Sequence, residues 1–121
     1  MSERSDKFGL GDDELLALPT VYAPDLFKGQ VALVSGGGSG LGKAIAVLFA
    51  RLGASLAICG RDGVKLDRAA ELLRGLNADV SCHAMTIRDP GDVAALMAAV
   101  QEQHGGLDIL INNAGGQFPQ A

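Results

Sequence analysis

Eight residues, Ser35-Gly36-Gly37-Gly38-Ser39-Gly40-Leu41-Gly42, constrain this chain more than any other stretch. They follow QVALVS, a short run of β-formers, and lead straight into GLGKAIAVLFARLG. There Leu41, Ala44, Ile45, Leu48, Phe49 and Leu52 recur at helical spacing before Gly53. Gly36 suits the tight turn out of the strand. Gly40 lets backbone come close to a pyrophosphate, where a Cβ would intrude, and Gly42 lets the helix approach the sheet. The N–H groups of the helix's first turn then present partial positive charge to phosphate. The spacing is G-x-x-x-G-x-G rather than G-x-G-x-x-G. Lys43 is followed by Ala44, so the hydroxyl with which a mononucleotide P-loop holds magnesium is missing. A turn that serves packing alone gives no reason for glycines at these offsets.

The rest of the chain repeats the alternation. ASLAIC reads as a strand, and residues 63–74 carry Val64, Leu66, Ala69, Ala70, Leu72 and Leu73 on a helical pattern ahead of Gly75. VSCHAM is a strand, a helix runs from about Pro90 to Gln103, and LDILIN is a fourth strand. Pro90 fits a first helical position, where its missing N–H costs nothing. The order β-α-β-α-β-α-β implies right-handed crossovers and a parallel sheet covered on both faces. The expected fold is α/β, a Rossmann-like doubly wound sheet with strand order 3-2-1-4. With 48% hydrophobic residues but only 4% aromatic, its core must come from Ala, Val, Leu and Ile. Residues 1–29 are expected to be an N-terminal extension, a surface arm or subunit contact. In it Asp12, Asp13 and Glu14 charge the first turn of a short helix over Leu15, Leu16 and Leu18, stopped by Pro19. Residues 30–121 form the dinucleotide-binding domain, incomplete at its C-terminal end.

Charge narrows the partners. The net charge is -4, and most of the asymmetry lies in the first 30 residues, where six acids face three bases. A generic electrostatic grip on nucleic acid is excluded, and anion recognition must come from oriented local groups. No apolar stretch has the length of a signal-peptide core or a membrane span, so no membrane partner is expected. Cys59 and Cys82 give neither a disulfide framework nor metal-ligand spacing and read as buried inert thiols. His83 and His104 stand apart in sequence and read as structural or surface residues, and no metal is expected. The expected location is cytoplasmic.

The end of the second strand chooses between cofactors. Where dinucleotide folds carry an acid that binds the adenosine ribose hydroxyls, this chain has Gly60 followed by Arg61. Without a carboxylate to repel it a 2′-phosphate fits, and a guanidinium pairs with it through two parallel hydrogen bonds. NADP(H) is therefore expected over NAD(H), although Asp62 is adjacent.

The glycine cluster, Gly60-Arg61 and Asn112-Asn113-Ala114-Gly115 together resemble the short-chain dehydrogenase/reductase family. The family's Thr-Gly-x-x-x-Gly-x-Gly matches Ser35 to Gly42 with serine for threonine, and its Asn-Asn-Ala-Gly matches outright about 75 residues later. The resemblance implies that Ser35, Gly36, Gly38, Ser39, Gly40, Leu41, Gly42, Gly60, Arg61, Asn113, Ala114 and Gly115 bind the cofactor. Asn112 and its neighbours would steady the central sheet. Thr86 stands where an aspartate commonly binds the adenine amine, and Ile87 would pack beside the adenine. Ser39 replaces a basic residue frequent in NADP-preferring members, leaving Arg61 to carry 2′-phosphate recognition. Gly115-Gly116-Gln117-Phe118 looks like the branch that includes peroxisomal trans-2-enoyl-CoA reductase and 2,4-dienoyl-CoA reductase.

The family's catalytic Tyr-x-x-x-Lys lies beyond the Asn-Asn-Ala-Gly motif, and the only tyrosine here is Tyr22, ahead of the first strand. The resemblance thus implies the cofactor-binding half of an NADPH-dependent oxidoreductase, inactive alone and with no catalytic residue of its own. The whole enzyme, expected to be a homo-oligomer, would reduce a carbonyl or an enoyl thioester, including an enoyl-CoA. A ketoreductase or alcohol dehydrogenase of the same family is one alternative. A non-catalytic NADP(H)-binding or interaction module is the other.

Overall fold

The computed structural model of the chain describes residues 11–17, 23–85 and 90–113. Its elements are α1 (Asp12–Ala17), β1 (Val31–Ser35), α2 (Gly40–Arg51), β2 (Ser55–Gly60), α3 (Gly63–Arg74), β3 (Val80–Ala84), α4 (Pro90–His104) and β4 (Ile109–Asn112). The four strands form one parallel sheet in the order β3-β2-β1-β4, the doubly wound topology expected from the alternation.

Each face of the sheet has its own core. Ala32 and Val34 of β1 and Leu56 and Ile58 of β2 point to the α2/α3 side, where Ala46, Val47, Leu66, Ala70 and Leu73 pack on them. Val31, Leu33, Ala57 and Cys59 point the other way, onto Leu96 and Val100 of α4. That alternation follows from the two-residue period of a strand. Because β1 is central and covered on both faces, all five of its residues are buried. The small side chains Ala32, Ala46, Ala50, Ala57 and Ala70, each 6% exposed or less, allow close helix-on-sheet contact without aromatic bulk.

Two helical expectations fail in detail. Leu41 and Val64 fit the apolar stripes of α2 and α3 by spacing, yet they are 65% and 61% exposed. Each sits in its helix's first turn, beyond the edge of the sheet where the strands end. β4 is half-covered, and Leu110 on its open side is 56% exposed.

The N-terminal segment is anchored to α2. Asp12 pairs with Lys43 Nζ at 2.9 Å, and Arg51 Nη1 donates to the Leu15 carbonyl at 3.0 Å. Leu15 and Leu16 lie against the α2/α3 core, as does Phe27, whose ring stacks tilted on Phe49 at 4.8 Å. Leu18, Pro19 and Tyr22 lie outside the described residues.

Candidate functional site

The C-terminal ends of β1, β2 and β4 meet at the glycine loop. The chain leaves β1 through Gly36, whose N–H donates to the Cys59 carbonyl at 2.8 Å. Gly36 has φ +75°, and a Cβ there would run into the Asn113 carbonyl oxygen. A side chain at this position is excluded twice, by backbone conformation and by contact. Gly42 is crowded by backbone. A Cβ on it would fall on the carbonyl oxygen of Gly36, with the Asn113 amide nitrogen 3.1 Å away. Its absence of a side chain therefore lets the start of α2 seat closely on the ends of β1 and β4.

Gly40 differs again. It has φ +59° and open space where its Cβ would be. Beside it Ser39 is the exposed N-cap of α2 with extended backbone, and its side chain makes no cap bond. The first N–H groups of α2 thus have no side-chain partner from their own cap. Ser39, Gly40 and Leu41 around them are exposed, an arrangement suited to an anion. Leu41, exposed next to them, offers an apolar wall at the mouth. Gly38 lies on the first turn of α3: a Cβ would meet Lys65 and the Leu66 nitrogen at 3.3 Å.

Ser35 is buried, and the ladder sets it beside Cys59 one strand away. It supports the loop from below. Burial pushes the Cys59 thiol up, and the neighbouring Ser35 side chain offsets only part of that rise. Burial also raises Cys82, with Arg74 acting against it and Asp67 with it. Neither thiol is poised as a thiolate at neutral pH.

At the end of β2, Gly60 is half-buried and Arg61 is exposed. Asp62 is the N-cap of α3, its Oδ1 accepting from Val64 N–H at 3.1 Å and Lys65 N–H at 3.2 Å. The carboxylate beside Arg61 is thereby committed to a helix end. An Asp directly ahead of the helical stripe of residues 63–74 is an N-cap signal as well as a charge.

Asp108 was missed altogether: its Oδ2 accepts the Val31 N–H at 2.9 Å and ties the start of β1 to the approach to β4. The two histidines, read as isolated, come together in space on either side of Ser81. No spacing rule could show that, because the contact joins a strand to the far end of a helix. Thr86, Ile87, Ala114 and Gly115 lie outside the described residues. Among the described residues no group of three or more His, Cys, Asp or Glu side chains is placed to hold a metal ion, and no helix is long and apolar enough to cross a membrane.

The comparisons match this geometry. A family model described as short chain dehydrogenase covers residues 30–121. A probable 2,4-dienoyl-CoA reductase of Caenorhabditis elegans is 46% identical over 96 residues, 78% of this chain and 31% of its own. The peroxisomal 2,4-dienoyl-CoA reductase of Arabidopsis thaliana is 41% identical over 97 residues, 80% of this chain and 33% of that protein. The chain therefore spans about a third of the length of the curated relatives it matches. Among solved structures, a citronellol catabolism dehydrogenase of Pseudomonas aeruginosa superposes with a TM-score of 0.77 at 38% identity, over 81% of this chain and 41% of that one. Similar structures contain NADP or NADPH in a metagenomic short-chain oxidoreductase, an actinorhodin polyketide ketoreductase and an L-sorbose reductase of Gluconobacter frateurii. One from Burkholderia phymatum contains NAD.

One expectation is corrected by these relatives. The enzymes of Arabidopsis thaliana, Danio rerio and Pongo abelii are peroxisomal by name, so a cytoplasmic location does not stand. Composition and cysteine usage speak to bilayers and disulfides; they do not separate the cytosol from an organelle entered through a short receptor-read address.

Proposed function

The chain belongs to the short chain dehydrogenase family, and from that premise we propose that it is the NADP(H)-binding part of an oxidoreductase. The observation that carries the proposal is the N-terminus of α2, left without a side-chain cap over the open space at Gly40. Those N–H groups and the Ser39 hydroxyl would hold the pyrophosphate, with Asn113 bracing the loop from the β4 side. Arg61 would take the 2′-phosphate, free of competition from an Asp62 already turned onto α3. Thr86, Ile87, Ala114 and Gly115 complete the proposed contacts on the strength of the family pattern. In this division residues 1–29 are an extension and 30–121 the cofactor domain.

Bound nicotinamide supplies hydride chemistry. This chain's part is to fix the dinucleotide's phosphates and ribose and to exclude the wrong cofactor. The proton donor would be the family's tyrosine in the sequence that follows the Asn-Asn-Ala-Gly motif in a full-length protein. The substrate class we propose is a conjugated enoyl-CoA thioester, which the several dienoyl-CoA reductases among the relatives favour. A ketoreductase is the second reading, supported by a granaticin ketoacyl reductase of Streptomyces violaceoruber that is 44% identical over 85 residues.

The test is NADPH oxidation by the full-length protein with a dienoyl-CoA and, separately, with a ketoacyl thioester. Turnover of the first alone sustains the proposal, and turnover of the second alone selects the ketoreductase. Tight NADPH binding with neither reaction leaves a nucleotide-binding module. Light scattering of the same protein tests the proposed homo-oligomer.

A further inference from the structure

A second cluster of polar side chains lies at the other end of the sheet from the glycine cradle, where β3 begins and α4 ends. Ser81 and His83 are two apart on β3 and share one face. Ser81 Oγ is 2.8 Å from His83 Nε2 and 2.9 Å from His104 Nε2. One hydroxyl carries one proton, so it donates to one ring and accepts from the other.

The surroundings choose which. The His104 side chain is 2% exposed, and its Nδ1 is buried without a hydrogen-bond partner, 3.7 Å from Asp79 Oδ2. A bare lone pair there would face a carboxylate. The favoured tautomer carries its proton on Nδ1 and leaves Nε2 to accept from Ser81. His83 is kept neutral chiefly by burial and secondarily by His104, and its Nε2–H then donates to the serine oxygen.

Ser81 is buried, 8% exposed, and a cleft opens beside it at the edge of the sheet. The cleft, of about 480 Å³, is lined by Asp67, Arg74, Asp79, Ser81, Cys82 and His104. On β3 the Met85 N–H donates to Gly60 and the Asp79 carbonyl accepts from Leu56, so odd-numbered residues bond β2. The even-numbered ones turn their backbone groups to the open edge, and the Cys82 N–H therefore faces outward next to Ser81. Arg74 holds its guanidinium on that edge by donating from Nη2 to the Val80 carbonyl at 3.1 Å.

We propose that Ser81, His104 and Asp79 form a second reactive site, distinct from the cofactor cradle, at which Ser81 is a nucleophile toward small activated esters and fluorophosphonates. Ser81 Oγ bonds to the carbonyl carbon while its proton passes to His104 Nε2. Collapse of the tetrahedral adduct breaks the bond to the leaving alkoxide, which takes that proton and departs as the alcohol. Water, deprotonated by the same nitrogen, then cleaves the acyl-serine. Asp79 is a positioning residue that holds the His104 tautomer.

The experiment treats the full chain with a fluorophosphonate and follows the adduct on the Ser81 peptide by mass spectrometry. A single adduct on Ser81 is expected, absent in Ser81→Ala and formed about a hundredfold more slowly in His104→Gln, the loss typical of a missing general base. Asp79→Asn should slow it less and displace the pH profile, which a merely structural role would leave in place. His83→Phe should keep the adduct. Circular dichroism reports whether each variant folds. Should His104→Gln unfold, the pH dependence of the unmutated chain decides, because the proposal requires the labelling rate to depend on pH through a general base. No adduct on Ser81, a flat profile, or an undiminished rate in a folded His104→Gln overturns it.

Discussion

Two helices begin at the same edge of this sheet, and they begin differently. α3 is closed by Asp62, whose carboxylate takes the N–H groups of Val64 and Lys65. α2 has a serine at the equivalent position, with extended backbone and no cap bond, followed by a glycine that opens into empty space. Both positions carry residue types that cap helices well. The proposed pyrophosphate site rests on this contrast between a capped helix and its uncapped neighbour. An N-cap is worth about 1 kcal/mol, so the opening is a stability cost of that order that a bound phosphate would offset.

The largest break in this comparison comes from Gly42→Ala. The new Cβ would meet the Gly36 carbonyl oxygen, so the loop must shift away from Asn113. A full-length protein with this change should lose about 3 kcal/mol and melt about 5 °C lower, with NADPH binding abolished. Unaltered melting with unaltered affinity would mean that the loop is loosely held and that the open end of α2 is not a built feature.

Ser39→Asp converts the open end into a closed one. The carboxylate can reach the first-turn N–H groups as Asp62 does, raising the melting temperature by a few degrees at most. It should weaken NADPH and NADH alike by about a hundredfold, because it occupies and repels the same anion site. A melting gain with no loss of affinity would place the pyrophosphate elsewhere.

Arg61→Ala probes the region between the two helix ends. Charged hydrogen bonds contribute about 1.5 to 3 kcal/mol, so the unmutated protein should hold NADPH at least about tenfold more tightly than NADH. Titration calorimetry on the variant should show that gap nearly gone, with NADH affinity unchanged. Equal losses for both cofactors would make Arg61 a structural residue.

What the sequence disclosed and what it hid divide along the same lines. The sheet order, both covered faces and the glycine loop were legible because local periodicity and turn chemistry carry them. Leu41 and Val64 were misplaced because a helical stripe does not show where the sheet beneath it ends. The wall that Asn113 makes for Gly36 and Gly42 joins positions about 75 residues apart, and the Ser81 hydroxyl joins two elements through a crossover. Such contacts depend on register between strands and on where a helix stops, quantities that composition and spacing do not contain.

The smallest effect is the one that separates cap from cofactor ligand. Asp62 adjoins Arg61, and from sequence alone its carboxylate competes for the ribose or repels a 2′-phosphate. In the structure that oxygen is held by two α3 N–H groups, so Asp62→Ala should act on the helix and not on the ligand. Losing the cap costs about 1 kcal/mol, or about 1 to 2 °C in melting temperature for a protein of the relatives' size. The ratio of NADPH to NADH affinity should stay where Arg61 sets it. Asp62→Ser, which keeps an oxygen for Val64 and Lys65 but removes the charge, should recover most of the stability with the same ratio. If Asp62→Ala instead left melting untouched and raised the NADPH preference about tenfold, the carboxylate would be facing the ribose. The closed end of α3 would then belong to the cofactor site as much as the open end of α2 does.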